Sequence, residues 1–287
     1  MAEYSPKDLL ATLEAAQTGE RDPRTCEIVN RIVADLFRTI EDLNVQPAEF
    51  WAAVKWLNEL GSAQQVGLAT AGLGFDRLLD ILADQADERA GLATGTPRAI
   101  EGPLYVANAP LSDYEARLDD GTDVGETLVM DGVVYGADGK ALANAIVDVW
   151  HADSKGGYSH FDPTQSEFNL RRRLRTDAQG RYRFRSLVPS GYGVPPGSPT
   201  EQILDRLGRH GQRPAHIHFL VTGEGQRPLT TQINIPGDAY LQDDFAFATR
   251  DGLIVELDPT DRTDDVASLG VTGKHTRVHF DFHLQPA

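Results

Sequence analysis

The sequence predicts an α+β chain in which an N-terminal helical domain, residues 1–97, precedes an antiparallel β-sandwich, residues 98–287. Apolar residues recur every three or four positions through the first third, the period of a helix face. After Gly102 the pattern becomes short alternating segments separated by turn residues, the signature of a sandwich. With 287 residues, 40% of them hydrophobic, the chain is long enough for one large domain or two modest ones with real cores.

Ser5-Pro6 reads as an N-cap with proline at the first helical position, opening a short helix through Leu9, Leu10 and Leu13. Ile28, Ile32, Val33, Leu36, Phe37, Ile40 and Leu43 predict a longer second helix. Pro47 opens a third, carrying Phe50, Trp51, Val54 and Leu57, and Leu78, Leu79 and Leu82 mark another. Stripes of this kind are expected to pack into a helical core. The boundary is expected between Gly91 and Pro97.

Beyond it, Leu128 to Val134 and Ala145 to Trp150 read as strands around the turn Ala137-Asp138-Gly139-Lys140. Arg171–Arg175 and Arg181–Arg185, flanking Thr176–Gly180, read as a hairpin with arginines on a solvated or ion-paired face. The run Val278–Leu284 alternates strictly and puts His279, Asp281 and His283 on one face. A strand with one side in water explains that pattern without a metal.

The charge balance, 27 basic against 43 acidic residues for a net −16, opposes nucleic-acid binding. Cys26 is the only cysteine, so no intrachain disulfide can form and a reducing, cytoplasmic home is expected. The start, Met1-Ala2-Glu3-Tyr4, lacks the blocks of a signal peptide, and no apolar run approaches the length of a membrane span.

The chemistry concentrates in Arg213-Pro214-Ala215-His216-Ile217-His218-Phe219. In a strand, His216 and His218 share one face while Ile217 and Phe219 take the other, so two imidazoles can hold one metal. A lone His-x-His serves as readily as a hydrogen-bonded sheet face. Two tyrosines add weight to the metal reading: Tyr158 in Gly156-Gly157-Tyr158 and Tyr192 in Gly191-Tyr192-Gly193 sit in turns where glycine allows close backbone approach. A phenol has a pKa near 10, yet a bound cation can deprotonate it as it does a coordinating thiol or water. Each tyrosine taken singly reads as a core or turn residue. As a set, two phenolates and two neutral imidazoles neutralise two charges of iron(III) and leave a position open to substrate, and they suit zinc less well.

These stretches resemble the intradiol ring-cleaving dioxygenases, and among them the catechol 1,2-dioxygenases. The resemblance runs through Tyr158–Pro163, Phe168–Arg172, Pro189–Gly193, Leu207–His218, Leu229–Asn234 and Asp243–Arg250, and upstream through Gly72–Phe75 and Gly95–Val106. It implies that Tyr158, Tyr192, His216 and His218 bind one non-haem Fe(III) per subunit. Tyr192 would be displaced when catechol binds, its freed phenolate accepting a substrate proton. Arg213 would stabilise the negative charge that develops, and Gln232 would orient an intermediate or the oxygen.

Leu68, Ala71, Ile100, Pro103, Leu104, Phe245 and Ala246 would form the apolar pocket for the ring. Ala71 stands where relatives carry proline, and with the small Ala246 it is expected to leave space for a methyl or chloro substituent. The resemblance further implies cleavage of catechol with O2 to cis,cis-muconate in the catabolism of aromatic compounds. It also implies a homodimer through the N-terminal helices, with a phospholipid held at the interface. His151, His160, His210 and His275 are not used as ligands in this pattern. Alternatives are a hydroxyquinol or chlorocatechol substrate, a zinc hydrolase, and a non-catalytic β-sandwich binding module.

Overall fold

The computed structural model describes residues 5–92 and 95–287; the Met1–Tyr4 start and Ala93-Thr94, inside the expected boundary, lie outside the described residues. Six α-helices are present among them: α1 Pro6–Ala15, α2 Pro23–Asp42, α3 Pro47–Ser62, α4 Val66–Gly72, α5 Phe75–Arg89 and α6 Pro199–Arg206. Thirteen strands follow α5. They are β1 Leu111–Asp113, β2 Glu115–Arg117, β3 Thr127–Tyr135, β4 Ile146–His151, β5 Arg171–Arg175, β6 Arg181–Leu187 and β7 Tyr192–Gly193. After these come β8 Gln212–Arg213, β9 His216–Thr222, β10 Leu229–Asn234, β11 Asp258–Thr260, β12 His275–His279 and β13 Phe282–His283.

The chain divides into two compact units, 1–62 and 63–287. The strands begin after α5, and α4 and α5 belong to the larger unit. In the smaller unit, Ser5 caps α1 as expected: its hydroxyl accepts from the Asp8 amide at 3.1 Å, and the Asp8 carboxylate accepts from the Ser5 amide at 3.1 Å. The apolar stripes do not become a core. Neither α1 nor α2 buries a residue, and Leu36 and Trp51 remain 55% and 65% exposed.

In the larger unit two sheets face each other, one in the order β1-β5-β4-β9-β10 and the other β11-β12-β3-β6-β2, with β13 alongside β3. The core lies between them. Val147, Val149, Ile217, Phe219 and Ile233 from the first sheet meet Leu128, Met130, Tyr182 and Phe184 from the second, all essentially without solvent exposure. Each such side chain contributes about 1.5–3 kcal/mol on burial.

The pairing is mixed rather than uniformly antiparallel. The central pairs are antiparallel, whereas β1·β5, β2·β6, β3·β12 and β3·β13 are parallel. Parallel neighbours cannot be joined by a tight turn, and each of these pairs is brought together by a long connection.

The arginine-rich segments do not form a hairpin. β5 lies in the first sheet and β6 in the second, so Thr176–Gly180 is a corner between layers. Arg183 pairs with Glu115, Arg175 with Asp113, and Arg185 with Asp119, as an ion-paired face should. Arg171 is the exception, being 1% exposed. The C-terminal alternating run also breaks: Asp281, between β12 and β13, accepts a hydrogen bond from the Val133 amide at 2.8 Å. Helix α6 was not anticipated, although Ser198-Pro199 repeats the Ser5-Pro6 signal, with Ser198 accepting from the Glu201 amide at 3.2 Å.

Candidate metal centre

Strand β9 is buried on both faces. One face gives Ile217, Phe219 and Val221 to the core; the other carries His216 and His218 on the outer side of the five-stranded sheet. Antiparallel register sets Trp150 and Gln232 on either side of His218, and Asn234 beside His216. The Trp150 indole stacks on His218 at 4.9 Å and an interplanar angle of 5°. This fixes the imidazole plane.

The two tyrosine turns close over that row. A Cβ on Gly156, which adopts φ +88°, would stand 2.8 Å from the Tyr192 Cβ, and one on Gly191 would stand 2.6 Å from the Arg213 carbonyl oxygen. Glycine is required at both positions for the turns to approach. Tyr192 pairs with Arg213 across the two-residue ladder of β7 and β8, and the Tyr158 and Tyr192 rings meet edge to face at 5.4 Å.

His216 Nε2 and His218 Nε2 are 2.9 Å apart. His216 Nδ1 faces the Pro214 carbonyl at 2.7 Å, so Nδ1 carries the proton and Nε2 presents its lone pair. Burial, reinforced by the Arg213 charge, pushes the His216 pKa down to about 3. Burial and the neighbouring His216 hold His218 well below its ordinary value. Both rings are therefore neutral.

Tyr158 is 4% exposed and its hydroxyl makes no hydrogen bond, although the Tyr192 hydroxyl is close by. Burial first, and then Tyr192, raise its pKa well above 10. A fully buried hydroxyl without a partner is costly, and the two imidazole Nε2 atoms beside it are donors that a cation could also take. One cation with nitrogen and oxygen donors would satisfy all of these atoms. The donor set fits a metal ion.

Arg213, 4% exposed, donates from Nη1 to His216 Nε2 at 3.0 Å, from Nη2 to Gln232 Oε1 at 2.8 Å, and from Nε and Nη2 to the Asp244 carboxylate at 3.2 and 3.1 Å. Burial alone would lower its pKa, but Asp244 outweighs that effect and keeps it charged. Gln232 donates onward to Asn234 Oδ1 at 3.1 Å and faces Arg213 rather than the neighbouring cavity.

That narrow cavity is lined by all seven expected pocket residues (Leu68, Ala71, Ile100, Pro103, Leu104, Phe245, Ala246) with Tyr192, Arg213 and His218 at its polar end. Tyr158 and His216 do not line it. Sequence reasoning missed Glu101 and Gly102 in the lining, Asp244 as the partner of Arg213, and Trp150 as the platform for His218. Only the proximity of distant strands and loops reveals these roles.

The remaining histidines are held elsewhere. His151 is fully buried between Ser186 Oγ at 2.6 Å and the Ala152 carbonyl at 2.7 Å. His210 accepts from the Gln212 amide, and His275 faces the Gly273 carbonyl. His279 pairs with Asp131 at 2.6 Å on the surface. Among the described residues no cluster of three or more histidine, cysteine, aspartate or glutamate side chains is placed to hold a metal. A larger cleft of about 870 Å³ beside α5 is lined by none of Tyr158, Tyr192, His216 and His218.

The family models decide the lineage. Residues 100–286 match the model described as "Dioxygenase", and residues 22–91 match "Catechol dioxygenase N terminus". The chain belongs to the catechol dioxygenase family. It is therefore an oxidoreductase of the intradiol dioxygenase type. Catechol 1,2-dioxygenase 2 of Acinetobacter lwoffii is 62% identical over 86% of this chain and 90% of its own length. The crystal structure of catechol 1,2-dioxygenase from Pseudomonas arvilla C-1 superimposes with a TM-score of 0.92 at 52% identity, covering 100% of this chain and 94% of that one. A chlorocatechol 1,2-dioxygenase of Cupriavidus pinatubonensis is more distant, 32% identical over 92% of this chain and 96% of its own. Among the described residues no helix is long and apolar enough to cross a membrane.

Proposed function

We propose that this dioxygenase cleaves catechol between its two hydroxylated carbons with O2, giving cis,cis-muconate, and that Tyr158, Tyr192, His216 and His218 hold the iron(III) it uses. The observation that carries the reading is the convergence of two neutral imidazole nitrogens, 2.9 Å apart, with a buried unpartnered phenol, beside an apolar cavity whose polar end is lined by His218, Tyr192 and Arg213. Bound there, iron(III) supplies Lewis acidity toward the diol and draws electron density from the ring, which makes ring carbon reactive toward dioxygen.

The protein's own groups do the rest. Tyr192 lines the cavity and is half-buried on a strand of only two residues, whereas Tyr158 is enclosed. Tyr192 Oη is accordingly the group that moves and accepts a substrate proton. The Arg213 guanidinium, fixed by Asp244 and Gln232, faces the same cavity and stabilises negative charge developing on the ring. Gln232 acts through Arg213. The apolar walls seat the ring and exclude water.

Catechol is favoured over chlorocatechol by the 62% against 32% identity to enzymes of those names. A visible spectrum of iron-quantified protein tests the reading. A red-brown charge-transfer band is expected, shifting when catechol is added without oxygen, with cis,cis-muconate appearing once air is admitted. A colourless protein that stays colourless after reconstitution with iron(III) would overturn it and favour a binding module.

The exposed apolar residues of α1–α3 support a homodimer formed through these helices with phospholipid at the interface. Sedimentation should give twice the chain mass, and an organic extract of the same sample should contain phospholipid. A single-chain mass and a lipid-free extract would remove both assignments. The absence of an intrachain disulfide supports a cytoplasmic setting.

A further inference from the structure

Helix α6 ends in a Schellman turn. Gly208 takes φ +66°, its amide donates to the Asp205 carbonyl at 3.0 Å, and the Arg209 amide donates to the Leu204 carbonyl at 2.9 Å. That turn fixes the direction in which Arg209 leaves the helix. Its Nη1 donates to the Gly72 carbonyl at 2.5 Å, its Nη2 donates to the Phe245 carbonyl at 3.1 Å, and the guanidinium lies over the Phe247 ring at 4.8 Å.

The two carbonyls belong to opposite walls of the ring pocket. Gly72 is the last residue of α4, the helix that supplies Leu68 and Ala71; Phe245 supplies the facing wall together with Ala246. A C-terminal helix carbonyl has no partner within its own helix, and a guanidinium also complements the negative end of the helix dipole. The walls already touch, since a Cβ on Gly72 would meet the Phe245 ring at 3.1 Å. Their separation is thus determined where Arg209 joins them.

We propose that Arg209 is a positioning residue that sets the width of the ring pocket by clamping α4 to the 244–248 loop, and that it thereby governs discrimination between unsubstituted and ring-substituted catechols. Arg209 does not line the cavity, so it acts through the walls. The inference rests on the proposed catechol reading. Other constraints leave this role unfilled: Arg213 holds the loop through Asp244, and Arg250 holds its far end through the Phe247 carbonyl at 2.6 Å and Asp80 at 3.0 Å, but neither of them reaches α4.

The test compares wild type with Arg209→Met, Arg209→Lys and, as a control, Arg173→Met, which removes an arginine-to-carbonyl bond of 2.7 Å at Ala109. Catechol and 4-methylcatechol are titrated into the iron-loaded proteins without oxygen, following the charge-transfer band, and kcat and KM are measured in air. Arg209→Met should keep its iron and band and raise KM for catechol with kcat changed less than about twofold. Its preference for catechol over 4-methylcatechol should fall about tenfold, the low end of what fitting one methyl group decides in an apolar pocket.

Arg209→Lys can reach one carbonyl and should fall between the two. An unchanged preference in either folded variant overturns the proposal, as does an equal change in Arg173→Met. If Arg209→Met does not fold, the lysine variant decides alone. A wild-type protein that shows no band shift with catechol would count against the underlying reading instead, so the two failures are distinct.

Discussion

Replacing Tyr158 with phenylalanine is expected to abolish ring cleavage while leaving the metal-free protein at least as stable as the wild type. The two effects separate because the hydroxyl contributes nothing to the metal-free fold. It is buried without a hydrogen bond, and such a group costs about 1–3 kcal/mol. The ring itself is well used, packed with Trp150, Ala152 and Leu104 and lying under the Arg171 guanidinium at 5.7 Å, and phenylalanine keeps those contacts.

Iron affinity should fall by more than about a hundredfold, the upper end of what altering a residue behind a metal ligand costs. The raised pKa of Tyr158 means that iron binding must release its proton, so wild-type affinity should rise with pH and the Tyr158→Phe variant should lose that part of the dependence. Urea midpoints of the metal-free proteins, iron stoichiometry and the visible band provide the check. A Tyr158→Phe protein that binds a full equivalent of iron and turns over would sink the ligand assignment; a marked loss of metal-free stability would sink the argument about the orphan hydroxyl.

This separation explains which parts of the molecule were legible in the sequence. Alternation put His216 and His218 on one strand face, and glycines marked both tyrosine turns, because each signal is local and set by backbone geometry. The pairing of β5 with β4 and of β6 with β3 was not legible, since a corner between sheets and a hairpin use the same turn residues. Asp244 lies in the Asp243–Arg250 stretch, and its role appears only where the loop brings it against Arg213.

The stripes on α1 and α2 predict a core that the structure does not form, because periodicity reports an apolar face without reporting what covers it. Strand β4 shows the complementary difficulty. It is buried on both faces, so its alternation of Asp148 and Trp150 with Val147 and Val149 separates the site side from the core side rather than water from protein.

Arg213→Met is expected to damage both stability and activity, with a pH signature that identifies the cause. The substitution leaves the Asp244 carboxylate buried, with only the amides of Ala246 and Ala248, at 3.0 and 3.2 Å, to accept from. Removing one partner of a buried pair costs about 3–5 kcal/mol, because the remaining charge is uncompensated. In the wild type burial pulls the Asp244 pKa upward, but Arg213 and those amides outweigh it and hold the pKa below the ordinary value. The pair's contribution is therefore present at neutral pH and lost as pH falls through the depressed folded-state pKa.

In the variant the sign reverses. Unpaired and buried, Asp244 should have a raised folded-state pKa, so the penalty is full at neutral pH and eases on acidification through that pKa. Urea unfolding of metal-free wild type and Arg213→Met, compared at about pH 5 and about pH 7.5, should show the gap narrowing in acid. Adding Asp244→Asn should recover much of the stability, because no buried charge is left behind, while turnover stays about 100- to 1000-fold down for want of the fixed cation beside the ring. A double variant that regains turnover would remove Arg213 from the chemistry and leave it a purely structural partner of Asp244. A gap that does not change with pH would show that packing, rather than the stranded carboxylate, accounts for the lost stability.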